Sequence, residues 1–207
     1  AGADVVSVTR IMGADPRIGP AHLSAGLGYG GYCFPKDLQA FERLATRLGY
    51  DFPMLREVQR INDQAVEATF HKVEEVLWNL EGKRVAVLGL AFKPATDDTR
   101  FSPAVALTQR LLQAGTEVVA YDPQAAANAK AEVPALTIAS DAYDALEGAH
   151  CAVIATEWPE FRDLDPERMH RAMEFPIVVD GRNLMDGAAL AAAGFIYVPT
   201  GRPTVRP

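Results

Sequence analysis

The sequence predicts an α/β protein in two parts: a helical segment over residues 1–81, then a doubly wound parallel sheet over 82–207. Two observations carry this. Up to residue 81, apolar residues recur only at helical spacing. Beyond it, β-rich apolar runs alternate with helical stretches, the pattern of parallel βαβ units.

Asp4 to Met12 reads as the tail of a helix. Val5, Val8, Ile11 and Met12 recur at helical spacing with no initiating cap ahead of them, which suggests a polypeptide that begins earlier. After a glycine-rich stretch, Gly26 to Gly31, a helix is expected from about Pro35 to Leu48, with Pro35 in its first turn and Gly49 as its stop. A long helix from about Pro53 to Leu80 follows. Its stripe of Met54, Val58, Ile61, Ala65, Val73, Val76, Leu77 and Leu80 leaves room for a partner-facing surface besides a core face. Strands are expected over 84–89, 117–121, 136–139 (weak), 151–155, 177–180 and 195–198, with helices notably over 102–114 and 166–173. The tail 202–207 reads as frayed.

Composition narrows the function. A net charge of −7 argues against a nucleic-acid binder, which needs a basic face to displace counterions. It leaves room for a local phosphate pocket. No apolar run approaches the ~20 residues that span a bilayer, so no membrane role is expected. The four histidines are scattered without metal-ligand spacing, and no metal is expected. Two cysteines in unlike contexts, Cys33 and Cys151, do not form a disulfide framework; Cys151 reads as a small core residue, and a reducing cytoplasm fits.

Gly26-Leu27-Gly28-Tyr29-Gly30-Gly31 satisfies G-x-G-x-x-G literally, but no convincing strand precedes it and none follows before residue 84. A complete nicotinamide-binding domain is therefore not expected in this chain. The glycines suit close approach of backbone amides to a ligand.

Three places carry chemistry. In Gly30-Gly31-Tyr32-Cys33-Phe34-Pro35-Lys36-Asp37, Cys33 lies at a helix start, three residues from Lys36, and both features favour a thiolate. Asp37 suits either a helix-dipole partner or a group that positions water. An inert buried thiol beside a capping aspartate is the alternative, and the glycines followed by Cys, Pro, Lys and Asp favour a reactive site. The second place is the loop from Gly89 to Pro103, leading from the first strand to a helix with Ser102 as N-cap; Lys93 and Arg100 supply charge for a phosphate. A solvated loop pairing Asp97 and Asp98 with those cations is the alternative, and we assign the aspartates to bracing. Third, Asp180-Gly181-Arg182-Asn183 follows the fifth strand, where Arg182 either reaches the same pocket or makes a surface ion pair. Asp122, after the second strand, is either a ribose acceptor or a turn former before Pro123.

The Cys33 motif, together with Phe92-Lys93-Pro94-Ala95-Thr96-Asp97-Asp98-Thr99-Arg100, resembles the two signatures of the UDP-glucose/GDP-mannose dehydrogenase family, on its UDP-glucose 6-dehydrogenase side. Asp15-Pro16-Arg17-Ile18-Gly19-Pro20 and Asp180-Gly181-Arg182 are similar too. The resemblance implies a helical central segment (1–81) that makes a homodimer, and a Rossmann-like UDP-sugar-binding domain (82–207). An N-terminal NAD-binding domain would lie outside this chain, with catalytic groups of its own. It implies oxidation of UDP-glucose to UDP-glucuronate with two NAD, through a thiohemiacetal and a thioester on Cys33. Asp37 would help position the hydrolytic water. His22, Leu23, Ser24, Ala25, Gly26 and Gly30 would contact substrate, Lys93 and Arg182 would neutralise it, and Arg17 would reach the neighbouring subunit's site. Lys36 and Arg100 would lie on the NAD side. Tyr32 and Phe101 depart from the family pattern, which usually has a small and an acidic residue there. GDP-mannose as substrate, and a non-catalytic nucleotide-sugar-binding module, are the competing readings; a thiol is not needed for binding alone.

Overall fold

A computed structural model describes residues 2–207. The helical part holds α1 (Val5–Gly13), α2 (Cys33–Arg47) and α3 (Pro53–Leu77). The α/β part then runs β1 (Arg84–Leu88), α4 (Pro103–Gln113), β2 (Glu117–Tyr121), α5 (Ala126–Glu132), β3 (Thr137–Ile138), α6 (Ala142–Leu146) and β4 (Cys151–Ile154). It closes with α7 (Pro159–Arg162), α8 (Pro166–Ala172), β5 (Ile177–Asp180), α9 (Gly187–Ala192) and β6 (Ile196–Pro199).

The six strands are parallel, in the order β3-β2-β1-β4-β5-β6. Strand order reverses between β1 and β4. Val85 pairs with Cys151 and Leu88 with Ile154, so the carboxyl ends of these strands lie level. A crevice opens at such a switch point, outside the strand ends, and it is where ligands bind doubly wound sheets. β1, β4 and β5 are buried almost throughout, as strands with both faces covered must be. Cys151 packs inside this core, and burial pushes its thiol up to about 12.

α3 joins the two parts. Its C-terminal half buries Thr69, Phe70, Val73 and Leu77, Phe70, Val73 and Leu77 joining the sheet's core, while Met54, Val58 and Ile61 in its first half are exposed. α2 likewise exposes Phe41 and Leu44.

Three expectations need correction. α1 does have a cap: Asp4 accepts the Val6 amide at 3.0 Å. Ser102 stands at the N-cap of α4, but its hydroxyl donates to the Leu90 carbonyl at 2.7 Å and does not cap the helix. The tail is not frayed at Val205, which exchanges two 2.9 Å backbone bonds with Tyr197 in an antiparallel bridge.

Candidate functional site

Three loops leave the carboxyl ends of β1, β4 and β5 and meet the glycine-rich loop above the switch point. They enclose a cavity of about 740 Å³ lined by His22, Ser24, Gly26, Gly28, Tyr29, Gly30 and Phe34 from the helical part, and by Phe92, Lys93, Glu157 and Arg182 from the sheet. Leu27 pins the glycine-rich loop there. It is fully buried and fits where Gly181 lacks a side chain, since a Cβ on Gly181 would overlap it.

Arg182 is the fixed cation of this cavity. Its side chain is only 12% exposed, Nε donates to the Ala155 carbonyl at 2.9 Å, and Nη2 donates to the Phe92 carbonyl at 3.3 Å. Glu157 Oε2 lies 3.0 Å from the same Nε; because that N–H is aimed at Ala155, the contact is ionic and not a hydrogen bond. Burial pushes the guanidinium below its ordinary value, against the pull of Glu157 and Asp180, and a guanidinium stays charged regardless. Asp180 builds the turn that carries it. This buried carboxylate accepts the amides of Arg182, Leu184 and Met185 and the Tyr197 hydroxyl, all within 2.9 Å. Arg182 also touches the opposite wall: a Cβ on Gly26 would stand 2.5 Å from its Nη1. Lys93 is exposed, with Nζ 5.5 Å above the Phe92 ring.

Cys33 is exposed and is the first residue of α2. It sits in a cluster of cations around Tyr32. Lys36 Nζ lies 4.7 Å from the Tyr32 ring centroid and 3.5 Å from Asp37 Oδ1, and the Arg100 guanidinium lies 4.5 Å from the same ring. Asp98 chiefly, and Tyr32 and Cys33 more weakly, raise the pKa of Arg100. Arg100 and Lys36 thus flank the ring of Tyr32, the residue next to Cys33, and Lys36 pairs with Asp37.

Of the residues singled out from the sequence, His22, Ser24, Gly26, Gly30, Lys93 and Arg182 come together in the cavity wall. Leu23 and Ala25 lie on the same segment but do not line it. Arg17 is apart, its exposed guanidinium held by Asp15 at 2.6 Å. Asp98 braces Arg100, as expected, whereas Asp97 contributes a backbone carbonyl to Asn128. Asp122 resolves as neither ribose acceptor nor mere turn former. It is buried and saturated, accepting the amides of Leu90, Ala91, Gln124 and Ala125 and the Trp158 indole N–H. A carboxylate with five donors has no lone pair left for a ribose, so this sheet does not fit the dinucleotide mode. Sequence reasoning missed Glu157, although its place just after β4, on the ligand edge, was a usable signal. It also missed Tyr29, whose neighbours were read only as glycines. Among the described residues no cluster of three His, Cys, Asp or Glu side chains could hold a metal, and no helix is long and apolar enough to cross a membrane.

Comparison with known proteins gives the same picture along the chain. Residues 1–64 match the central domain of the UDP-glucose/GDP-mannose dehydrogenase family, and residues 86–187 match that family's UDP binding domain. The UDP-glucose 6-dehydrogenase of Pseudomonas aeruginosa is 44% identical, covering 98% of this chain and 46% of its own length. That of Haloferax volcanii is 47% identical over 89% of this chain and 42% of its own. Among solved structures, a UDP-glucose dehydrogenase from Pyrobaculum islandicum superposes with a TM-score of 0.86 at 36% identity, over 98% of this chain and 44% of that one. A UDP-D-ManNAc dehydrogenase from Pyrococcus horikoshii gives 0.78 at 30%, over 97% and 45%. The chain spans somewhat less than half the length of these relatives. It belongs to the UDP-glucose/GDP-mannose dehydrogenase family, and does so along nearly its whole length, from the central domain into the UDP-binding domain.

Proposed function

We propose that this chain is the substrate-binding and dimerisation part of a cytoplasmic, NAD-dependent UDP-glucose 6-dehydrogenase, in which Cys33 is the nucleophile. The observation that carries the reading is the cavity at the β1/β4 switch point. There Lys93 and Arg182 face a glycine-rich wall whose chain runs on within three residues into an exposed thiol at a helix start. Two cations and backbone amides suit a diphosphate, and a nearby thiol suits an aldehyde.

In this reading Arg182, rigid and desolvated, binds the diphosphate with Lys93. His22, Ser24, Gly26 and Gly30 shape the sugar's surroundings, with Leu23 and Ala25 supporting the segment. The sugar's C6 alcohol is first oxidised to the aldehyde. Cys33 then adds its thiolate to the carbonyl carbon, giving a thiohemiacetal. Loss of a hydride from carbon and of the hydroxyl proton to solvent converts the adduct to a thioester, and water, positioned with help from Asp37, cleaves it to the carboxylate and regenerates the thiol. NAD supplies the two hydride acceptors. The saturated Asp122 supports assigning its binding to a domain outside this chain, with the exposed Lys36 and Arg100 as charge partners on that side. The apolar residues left exposed on α2 and α3 support a homodimer, with Arg17 offered to the neighbour's site.

The test is turnover by the full-length polypeptide with NAD and UDP-glucose, followed as NADH formation. Activity that survives Cys33→Ser would sink the mechanism, and a preference for GDP-mannose in calorimetric titration would replace the substrate. The 207-residue chain alone is expected to reduce no NAD.

A further inference from the structure

One side chain of the helical part holds the glycine-rich loop. Asn62, on α3, accepts the Tyr29 amide through Oδ1 at 2.6 Å and donates from Nδ2 to the Tyr29 carbonyl at 3.2 Å. The carboxamide thus pairs with the loop backbone as a neighbouring strand would, and its orientation follows, because only the oxygen can receive an N–H. Among the described residues, neither backbone group of Tyr29 has another partner. Gly28 makes the approach feasible. Its φ is +119°, and a Cβ there would stand 2.7 Å from Asn62 Oδ1 and 3.2 Å from the Asn62 carbonyl. From the other side, Gly31 donates its amide to the Arg100 carbonyl at 3.0 Å. The loop is therefore slung between α3 and the loop after β1, with Tyr29 at the point of suspension.

That point lies inside the site. Gly28, Tyr29 and Gly30 all line the cavity, the Tyr29 ring meets Phe34 edge-on at 4.7 Å, and Cys33 follows four positions later. We propose that Asn62 is a positioning residue for nucleotide-sugar oxidation: it fixes the loop 26–31 as a wall of the cavity and so sets where Cys33 emerges. This rests on the function proposed above. The role needs a donor and an acceptor side by side at this reach. Aspartate keeps the acceptor for the Tyr29 amide but turns a lone pair toward the Tyr29 carbonyl; alanine strands both backbone groups.

The test uses the full-length polypeptide carrying Asn62→Ala or Asn62→Asp, with two readouts: deuterium exchange of the amides of residues 26–32, and kcat/KM for UDP-glucose from about pH 8 down to about pH 4, through the ordinary carboxyl range. Asn62→Ala is expected to speed exchange in that segment about tenfold and to lower kcat/KM about tenfold, mainly through KM, with exchange in the sheet unchanged. Asn62→Asp is expected to match it at neutral pH. As the pH falls through the carboxyl titration, the carboxyl regains an O–H to donate, so its activity relative to wild type should climb, while the Asn62→Ala ratio stays flat. Exchange and kcat/KM within twofold of wild type for Asn62→Ala, or an Asn62→Asp ratio indifferent to pH, would overturn the assignment. If Asn62→Ala does not fold, Asn62→Asp compared with wild type across pH decides alone. The exchange readout needs no turnover, so wild-type protein that oxidises no nucleotide sugar would overturn the proposed function and leave the clamp to be judged by exchange.

Discussion

Arg182 and Asp180 show how a charged group is kept rigid in a site. A guanidinium whose N–H groups are spent on two carbonyls cannot swing away from its ligand, and the turn that presents it hangs on one carboxylate. Arg182→Lys should therefore weaken UDP-glucose binding by about tenfold in calorimetry, because an ammonium cannot serve the Ala155 and Phe92 carbonyls and the ligand together. Asp180→Ala should cost roughly 3 kcal/mol of stability in denaturant unfolding, because three amides and the Tyr197 hydroxyl lose their acceptor. The fold brings Lys93 and Arg182 into one cavity wall, and at this scale Cys33, Lys93 and Arg182 stand out in the sequence by residue type and neighbourhood. Glu157, Asn62 and Tyr29 did not, because their roles come from which groups the fold brings beside them. Asn62 lies 33 positions from the backbone it holds, and no local pattern records that distance.

The elements were largely readable, since five of the six strands follow from β-rich apolar runs whose bounds differ by a residue or so from those observed. β3, expected as the weak one, shrinks to two residues on the sheet edge, paired only with β2. Caps were the weak point. Asp4 and Ser102 are both plausible N-caps by type, yet only Asp4 bonds its own helix, because the Ser102 hydroxyl has a buried carbonyl to satisfy. α2 and α3 carry the clearest unsatisfied feature of the molecule, the exposed Phe41, Leu44, Val58 and Ile61. If they form the dimer contact, Val58→Glu with Ile61→Glu should shift the full-length protein toward monomer in sedimentation velocity, because two carboxylates would be desolvated at each contact. Unchanged sedimentation would move the interface elsewhere.

For the whole molecule, the sheet's interior sets an alkaline limit. In the folded protein burial raises the Cys151 thiol from an ordinary 9.0 to about 12, and Tyr197 is likewise raised by burial and by Asp180. The unfolded chain gives up these protons first. Stability is therefore full below about pH 9 and should fall as pH rises toward 12, with a slope of about 1.4 kcal/mol per pH unit for each group titrating. Cys151→Ala should flatten the first part of that fall in urea titrations at pH 8 to 10.5, roughly the window of the unfolded thiol. The tail described earlier bears on how such a chain is made. Beyond its bridge to Tyr197, the same segment reaches back to the first helix: Val5 donates to the Gly201 carbonyl at 2.9 Å, and Arg202 pairs with Asp4 at 3.1 Å. On a ribosome, α1 would emerge nearly two hundred residues before the groups that receive it. Its docking then waits on a loop closure of nearly two hundred residues, a contact of high sequence separation that forms slowly. The tail therefore anchors α1 through one backbone bond and one ion pair without covering it: Val6, Val8, Ile11 and Met12 stay exposed even when the segment is in place.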